Sequence, residues 1–249
     1  QRRNQKIVEE SPSVFITPEL RKDMGEKAVA AAKAVNYIGA GTIEFLVDKH
    51  RNYYFLEMNT RLQVEHPITE EVVGVDLVKE QIKVADNQVL KLKQEDIKQR
   101  GHAIECRICA EDTEMNFMPS PGVIKQITEP NGIGVRIDSY VYEGYEIPIY
   151  YDPMIGKLIV WATTREYAIE RMRRVLHEYK LTGVKNNISY LRCIMDTADF
   201  VEGHYDTGFI AKNGEALQKC ITHTSERSEK IAMIAAYMDY LMNLEENSG

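Results

Sequence analysis

Side chains able to bind ions and move protons recur at every second position of residues 57–65. Because an extended chain sends alternate side chains to opposite faces, five of them would share one face. These five are Glu57, Asn59, Arg61, Gln63 and Glu65. Carboxylate and amide oxygens bind hard cations, guanidinium groups hold oxyanions, and carboxylates accept protons. A solvated surface strand alternates in the same way, so the pattern alone supports the functional and the solvated interpretation about equally.

The preceding residues have the pattern of a β-hairpin, with strands over residues 42–47 and 53–58. Pairing Asp48 with Tyr53 across the turn places Glu44 opposite Glu57. Directly opposed carboxylates destabilise a sheet, whereas Mg²⁺ is usually held by one or two carboxylates together with substrate phosphates. A Mg²⁺ ion between the two carboxylates is therefore predicted. In the alternative interpretation the register is off by one residue and Glu44 is solvated.

The composition is that of an ordinary globular chain, with 249 residues, 44% of them hydrophobic, and a net charge of -7. The negative charge argues against a nucleic-acid surface, and no apolar run reaches membrane-spanning length. Four cysteines do not predict a disulfide framework in a chain of this size. Cys106 and Cys109 form a C-x-x-C, but the strand pattern around them points the two side chains to opposite faces, which argues against a metal or redox pair.

Helix signals flank the hairpin. Residues 1–8 predict a strand or the approach to one, and Thr17 then caps a helix that we expect to pack on the sheet as scaffold. Residues 69–73 predict a short helix, and Asp76 caps the next one. The polar, lysine-rich residues 87–100 predict a connection between two domains, with the boundary near residue 99.

Strand patterns dominate after residue 101, and Glu105 and Arg107 share one face of the first strand, where they could also form a surface ion pair. Tyr150 and Tyr151 could form an aromatic surface that meets the catalytic face or a partner, but core packing is the simpler interpretation. Two helices follow, the first beginning in a capping box at residues 163–166 and the second capped by Asn186 or Asn187. Residues 225–243 predict an amphipathic helix, which fits a docking helix and an interdomain linker equally well.

The segment from Glu57 to Pro67 closely resembles the signature segment of biotin carboxylases, the ATP-grasp enzymes that carboxylate biotin. Four other segments are similar to parts of that family and follow in the family's order, at residues 1–6, 101–112, 119–122 and 150–158. The resemblance covers roughly residues 1–215. It implies an α+β fold with the C-terminal part of an ATP-grasp domain over residues 1–98, the β-rich biotin carboxylase C-terminal domain over 99–215, and a tail over 216–249.

The resemblance also implies residue roles. Mg²⁺ or Mn²⁺ would be held by Glu44, Glu57 and Asn59. ATP would be contacted by Asn4, Glu44 and Glu57, with Asn4 standing where family members often carry His near the ribose. Bicarbonate would be held by Lys6, Arg61, Gln63 and the main-chain NH of Val64. Catalysis would depend on Arg61, Lys6 and the general base Glu65, and biotin would be bound by Arg107 and Val64.

The implied cofactors are ATP, Mg²⁺ or Mn²⁺, and biotin as a substrate on a carrier protein. The implied partners are a biotin carboxyl carrier protein or domain, a carboxyltransferase subunit or domain, and a second copy of the chain, because Arg136 sits where the family tends to dimerise. Nucleic-acid and membrane partners are not expected. The implied location is the cytoplasm, or the mitochondrion in a eukaryote.

The chain begins at Gln1 in motif-like sequence, so we expect a fragment whose amino-terminal domain and ATP lid lie upstream and which is inactive alone. Two other functions remain open at this point. One is another bicarbonate-using ATP-grasp ligase of the carbamoyl-phosphate type, which shares the metal carboxylates. The other is a non-catalytic subunit-interaction module. The residues do not identify the final acceptor among acetyl-CoA, propionyl-CoA and pyruvate.

Overall fold

The computed structural model describes residues 5–246, with only the backbone described for residues 223–229 and 241–246. The chain forms an α+β fold. Its helices are α1 Pro18–Ala34, α2 His66–Val73, α3 Leu77–Ala85, α4 Arg165–Glu178, α5 Ile188–Asp196, α6 Ala198–Val201 and α7 Phe209–Glu246. Its first six strands are β1 Val8–Ser11, β2 Thr42–Val47, β3 Tyr53–Asn59, β4 His102–Cys109, β5 Glu111–Asp112 and β6 Met118–Pro119. The other six are β7 Gly122–Val123, β8 Gln126–Thr128, β9 Val135–Ser139, β10 Glu146–Ile147, β11 Met154–Ala162 and β12 Lys180–Thr182.

An antiparallel four-stranded sheet in the order β1-β4-β11-β9 forms the centre of the molecule. Alternation along its strands separates an apolar face from a charged one. Ile104, Cys106 and Ile108 of β4 lie in the main hydrophobic core, which α4 and α5 cover. The opposite face carries Glu105 and Arg107 and lies under α2. On that face a second, small apolar cluster packs between the sheet and α2. It is formed by Ile68, Val72, Ala103 and Ile159.

The predicted strands and helices between residues 101 and 196 are confirmed in type and place. The strand signals correspond to β4, β7, β9 and β11. Thr164 caps α4 by accepting a hydrogen bond from the Tyr167 amide. Asn187 takes the N-cap position of α5, but its side chain binds β4 instead, accepting from Cys109 N at 2.8 Å and donating to Arg107 O at 2.9 Å. This buried amide therefore fastens the end of β4 to the helix layer.

The elements before residue 100 differ more from the predictions. Residues 1–8 were predicted as a strand or the approach to one, and strand β1 spans Val8–Ser11, so the described residues 5–7 lead into it. Thr17 caps α1 as predicted, and Leu20, Met24 and Ala28 on one face of this helix are half-buried, although none of its residues, all of them described, is fully buried. The short helix predicted at residues 69–73 begins earlier, at His66, while Asp76 caps α3 as expected.

A buried network connects β1 to the helices that cover the apolar face of the sheet. Glu10 of β1 contacts His102 Nε2 at 2.5 Å and accepts from Arg165 Nε at 2.8 Å. The hydroxyl of Tyr205 donates to the same carboxylate. Arg165 also donates to the carbonyl oxygens of Phe200 and Val201. Burial acts to raise the pKa of Glu10, but these hydrogen bonds outweigh it and lower the pKa.

The cysteine prediction was wrong in one respect, because Cys193 of α5 and Cys220 of α7 form a disulfide. Cys106 and Cys109 are free and buried. Among the described residues no cluster of three or more His, Cys, Asp or Glu side chains is placed to hold a metal ion.

The tail helix is longer than predicted and begins at Phe209. Its first turns pack on the main core through Phe209, Leu217 and Ile221. The side chains described between residues 230 and 240 are all exposed. Tyr150 and Tyr151 are 85% and 79% exposed, so their assignment to the core was wrong. Within the described range, none of the helices combines the length and the apolar character that crossing a bilayer requires.

Candidate functional site

Two carboxylates face each other on the β2–β3 hairpin, as the sequence predicts. The connection between the paired strands is one residue longer than expected, because Val47 rather than Asp48 pairs with Tyr53. The ladder then shifts by one residue between Glu44 and Phe45, which leaves Leu56 as an extra residue in β3. This bulge brings Glu44 back into register with Glu57. The predicted opposition is therefore confirmed although the predicted pairing of Asp48 with Tyr53 is wrong.

The amide of Asn59 bridges the two carboxylates, donating to Glu44 Oε1 at 3.2 Å and to Glu57 Oε1 at 3.0 Å. Gln63 Nε2 donates to the same Glu44 oxygen at 2.7 Å. Regular strand structure ends at Asn59, so the prediction of a single extended stretch through residue 65 is wrong. Residues 60–65 are a bend and a turn that still direct Gln63 towards Glu44.

Lys6 joins this hairpin to the start of α2. Its Nζ lies 3.5 Å from Glu44 Oε1 and donates a hydrogen bond to Glu65 Oε1. Lys6 reaches this position because its neighbour Ile7 continues the β1–β4 ladder, with Ile7 O accepting from Arg107 N at 3.0 Å. The predicted oxyanion-binding lysine and the predicted general base are thus in direct contact.

Arg107 reaches the same cluster from the charged face of β4. Its Nη2 donates to Glu65 Oε2 at 3.1 Å, and its Nε donates to Glu9 Oε1 at 2.7 Å. The alternative of a surface pair between Arg107 and Glu105 is wrong, because Glu105 is fully buried and makes no such bond in the described part of the chain.

The other predicted residues lie at the rim. Arg61 is exposed, and its Nη1 donates to Gln63 Oε1 at 3.0 Å and to Leu62 O at 3.2 Å. Val64 contributes its carbonyl oxygen, which accepts from Lys157 Nζ at 3.0 Å. Asn4 lies outside the described residues.

The charges in this cluster shift one another's pKa values. Burial acts to raise the pKa of Glu65, but its hydrogen bond and charge interaction with Lys6 and the charge of Arg107 lower it overall. Burial acts to lower the pKa of Lys6, but the contacts with Glu65 and Glu44 outweigh it and raise the pKa. Both side chains are therefore charged at neutral pH.

Two residues at the site were missed by the sequence reasoning. Glu9 binds Arg107, and Lys157 binds the turn that carries Val64 and lies 3.4 Å from Asp138. Lys157 is the only charged residue of the apolar strand Met154–Ala162, a signal that could have identified it. Glu9 carries no comparable signal, since adjacent acids at a strand end usually indicate a solvated edge.

Two protein-family models match the chain. The model described as "Carbamoyl-phosphate synthase L chain, ATP binding domain" matches residues 1–93. The model described as "Biotin carboxylase C-terminal domain" matches residues 105–212.

Curated relatives and solved structures are similar to most of the chain. The chloroplastic biotin carboxylase of Arabidopsis thaliana is 55% identical over 217 residues, which are 87% of this chain and 40% of that protein. Biotin carboxylase 1 of Bacillus subtilis is 54% identical over 211 residues, which are 84% of this chain and 47% of that protein. The biotin carboxylase domain dimer of Hydrogenobacter thermophilus 2-oxoglutarate carboxylase, in complex with MgADP, ADP and bicarbonate, has a TM-score of 0.86 at 48% identity, covering 87% of this chain and 48% of that one. The chain thus spans 40% to 48% of the length of these proteins.

Proposed function

We propose, because this chain belongs to the biotin carboxylase family, that it carries the acid–base and oxyanion-binding residues of an enzyme that carboxylates biotin with ATP and bicarbonate. The observation that carries the proposal is the contact of Lys6 with Glu65 and of Glu65 with Arg107, beside the opposed pair Glu44–Glu57. Residues from the start of β1, the hairpin, the turn before α2 and β4 meet there. The fold is the α+β fold of the family, with an ATP-grasp part followed by a biotin carboxylase C-terminal part.

In the proposed reaction the γ-phosphoryl group of ATP passes to a bicarbonate oxygen, giving ADP and carboxyphosphate. Carboxyphosphate then breaks its C–O bond to phosphate and releases CO₂. The ureido nitrogen of biotin gives its proton to that phosphate and forms a bond to CO₂. Each step conserves atoms and charge, and the protein's task is to position and stabilise charged groups.

The residues present fit a divalent cation at the hairpin. Glu44 and Glu57 are directly opposed, and among the described residues Lys6 is the only basic side chain paired with either of them, through Glu44. Mg²⁺ or Mn²⁺ would be held by Glu44 and Glu57, and by Asn59 once its amide turns its oxygen towards the ion. The bound ion would neutralise phosphate charge during phosphoryl transfer.

Bicarbonate would bind at Lys6, Arg61, Gln63 and the main-chain NH of Val64. Lys6 holds Glu65 and lies near Glu44, so an arriving oxyanion would exchange with one of these carboxylates for its ammonium group. Such an exchange has a consequence for Glu65. Losing the Lys6 contact removes a cause of its lowered pKa, which makes Glu65 a stronger base as the substrate arrives.

Biotin would bind at Arg107 and Val64, and Arg61 and Arg107 would stabilise the negative charge that develops on its ureido oxygen. Arg107 is well suited because Glu9 and Asn187 fix its side chain and its backbone. Asn4 would contact the ATP ribose.

The proposed organisation places the end of an ATP-grasp domain at residues 1–98, the C-terminal domain at 99–215 and a tail at 216–249. The partners would be a biotin carboxyl carrier protein or domain, a carboxyltransferase subunit or domain, and a second copy of the chain near Arg136. The exposed part of α7 is available for one of them. The proposed location is the cytoplasm in a prokaryote.

A chimera tests the proposal. This chain replaces the matched segment of biotin carboxylase 1 of Bacillus subtilis, and phosphate release from ATP and Mg²⁺ is followed with and without bicarbonate and free biotin. We expect release that requires bicarbonate and rises with biotin. Arg61→Ala should lose the biotin-coupled part, whereas Glu114→Gln, which changes an exposed carboxylate elsewhere, should not. The chain alone should show negligible turnover.

Two outcomes would contradict the proposal. Bicarbonate-dependent release that is indifferent to biotin would favour a carbamoyl-phosphate type of ligase, the alternative that the match of residues 1–93 also supports. A folded chimera that neither binds ATP and Mg²⁺ nor releases phosphate would leave a subunit-interaction module.

A further inference from the structure

A second pair of opposed carboxylates lies beneath the site, on the charged face of the central sheet. Glu9 of β1 is directly opposite Glu105 of β4. Glu9 is 9% exposed and Glu105 is fully buried. Arg107 is two residues from Glu105 on the same strand face, and Lys157 of β11 is opposite Arg107.

The two carboxyl groups have unequal partners. Glu9 Oε1 accepts from Arg107 Nε at 2.7 Å and lies 2.5 Å from Arg107 Nη2, while its Oε2 has no hydrogen-bond partner among the described residues. Neither oxygen of Glu105 has a partner there. Arg107 therefore binds one carboxyl of the pair and not the other.

A buried carboxylate with no hydrogen bond is costly, and a second carboxylate directly opposite adds repulsion. Protonating one member of the pair removes both costs. Burial raises the pKa of Glu105 to about 9, with the charge of Glu9 acting in the same direction. Burial also raises the pKa of Glu9, to about 7, where the charge of Arg107 acts against it. The proton is therefore held mainly on Glu105 near neutral pH.

The charged groups around Glu105 come from each element that packs against it. They are Glu9 from β1, Arg107 from β4, Lys157 from β11 and Glu65 from the turn before α2. Lys157 pairs with Asp138 of β9 and donates a hydrogen bond to Val64 O. Glu70 of α2 accepts a hydrogen bond from Arg136. Both cations are thus engaged by other acceptors, which leaves Glu105 without a counter-ion of its own.

We propose that Glu9 is a positioning residue for Arg107. Glu105 stays protonated, so Glu9 is the single carboxylate of the pair and orients the guanidinium towards Glu65. The inference rests on the proposed function, since Arg107 is placed there as a biotin-binding residue. Ionisation of Glu105 would put a second negative charge beside Arg107 and draw the guanidinium away from Glu65. Biotin-coupled turnover would then fall as the pH rises and Glu105 ionises.

The test uses the chimera and compares Glu105→Gln with wild type, because an amide keeps the shape of a neutral acid and cannot ionise. We expect Glu105→Gln to keep biotin-coupled phosphate release within about twofold at pH 7 and to move its alkaline limb upwards by about one pH unit. Glu9→Gln should lower the biotin-coupled kcat by about tenfold or more while the KM for ATP is unchanged. An unshifted alkaline limb in Glu105→Gln, or an unchanged kcat in a folded Glu9→Gln chimera, would overturn the inference.

A second measurement separates this inference from the proposed function. If the unsubstituted chimera shows no biotin-coupled release, the proposed function fails, and the proton on Glu105 is tested by urea unfolding of this chain between pH 5 and pH 9. A carboxyl whose pKa is raised in the folded state makes stability fall as pH rises from its unfolded to its folded pKa. Because the raised pKa of Glu9, about 7, gives a slope of its own at lower pH, Glu105→Gln should lose the part of the slope that lies above about pH 7. A variant whose urea midpoints follow wild type across this range would show that Glu105 does not hold the proton.

Discussion

Glu44 and Glu57 lie directly opposite each other because the bulge at Leu56 shifts the ladder by one residue from the register set by the Val47–Tyr53 pair at the turn. Like charges in directly opposed positions destabilise a β-ladder. Asn59 donates to both carboxylates and Gln63 to Glu44, which partly offsets the repulsion. A divalent cation bound between the two carboxylates would relieve the repulsion that remains.

Metal binding by this pair is the first prediction. Glu57→Gln and Glu44→Gln should each weaken Mn²⁺ binding by the chimera about tenfold or more, because each removes one charged ligand. Isothermal titration in the absence of nucleotide measures this directly. Glu114→Gln, which also removes one negative charge, is the matched control and should bind Mn²⁺ like wild type. Equal loss in all three variants would indicate a general charge effect and no site at the hairpin.

The second prediction concerns the pH dependence of stability at Glu65. Its pKa is lowered in the folded state, so its ion pairs with Lys6 and Arg107 stabilise the fold above the unfolded pKa of about 4.5 and are lost as pH falls through the folded value. Glu65→Gln should therefore cost about 1–2 kcal/mol at pH 7, a value reduced for the partial exposure of the cluster. The difference from wild type should narrow towards pH 3.5.

Urea unfolding of this chain at several pH values provides the measurement. Glu114→Gln serves again as the control and should run parallel to wild type. A Glu65→Gln deficit that stays constant from pH 7 to pH 3.5 would contradict the ion-pair origin of the effect.

Local parts of the site could be predicted from the sequence. Period-two alternation and turn residues were enough to find the hairpin and to oppose Glu44 with Glu57. The predicted pairing of Asp48 with Tyr53 is wrong because a bulge adds one residue to the second strand, which the apolar pattern does not reveal. The extended interpretation of residues 60–65 failed for a related reason, since alternating residue types do not require a strand when no neighbouring strand pairs with them.

The long-range parts could not be predicted from local pattern. Lys6 and Glu65 are 59 residues apart, and Arg107 is 42 residues beyond Glu65. The resemblance to a family predicted that these residues share a site, but it gave no reason to expect Glu9 or the buried Glu105 beside them. Their environment depends on the strand order β1-β4-β11-β9 and on α2 covering that sheet face, and neither is encoded in the spacing of any one segment.

The third prediction concerns the buried network of Glu10. Replacing Glu10 by Gln should destabilise the chain by about 3–5 kcal/mol, because it leaves the buried guanidinium of Arg165 without its counter-charge. His102 and Tyr205 would lose their charged partner as well. Urea unfolding at pH 7 measures the loss. Glu166→Gln changes the adjacent exposed carboxylate of α4 and should cost less than about 1 kcal/mol. A Glu10→Gln variant as stable as Glu166→Gln would show that the network does not hold β1 to the helix layer.

The fourth prediction concerns the disulfide between Cys193 and Cys220, which closes a loop with a sequence separation of 27 residues. In the chain-entropy account, a loop of this length restricts the unfolded state enough to stabilise the fold by about 3–4 kcal/mol. Reduction should therefore lower the urea midpoint, and the loss should involve the packing of α7 on α5 through Leu217 and Ile221. The double variant Cys193→Ser/Cys220→Ser should unfold at the midpoint of the reduced chain and should not respond to reductant, since Cys106 and Cys109 are free thiols. Equal midpoints for oxidised and reduced wild type would mean that α7 is held by its apolar contacts alone.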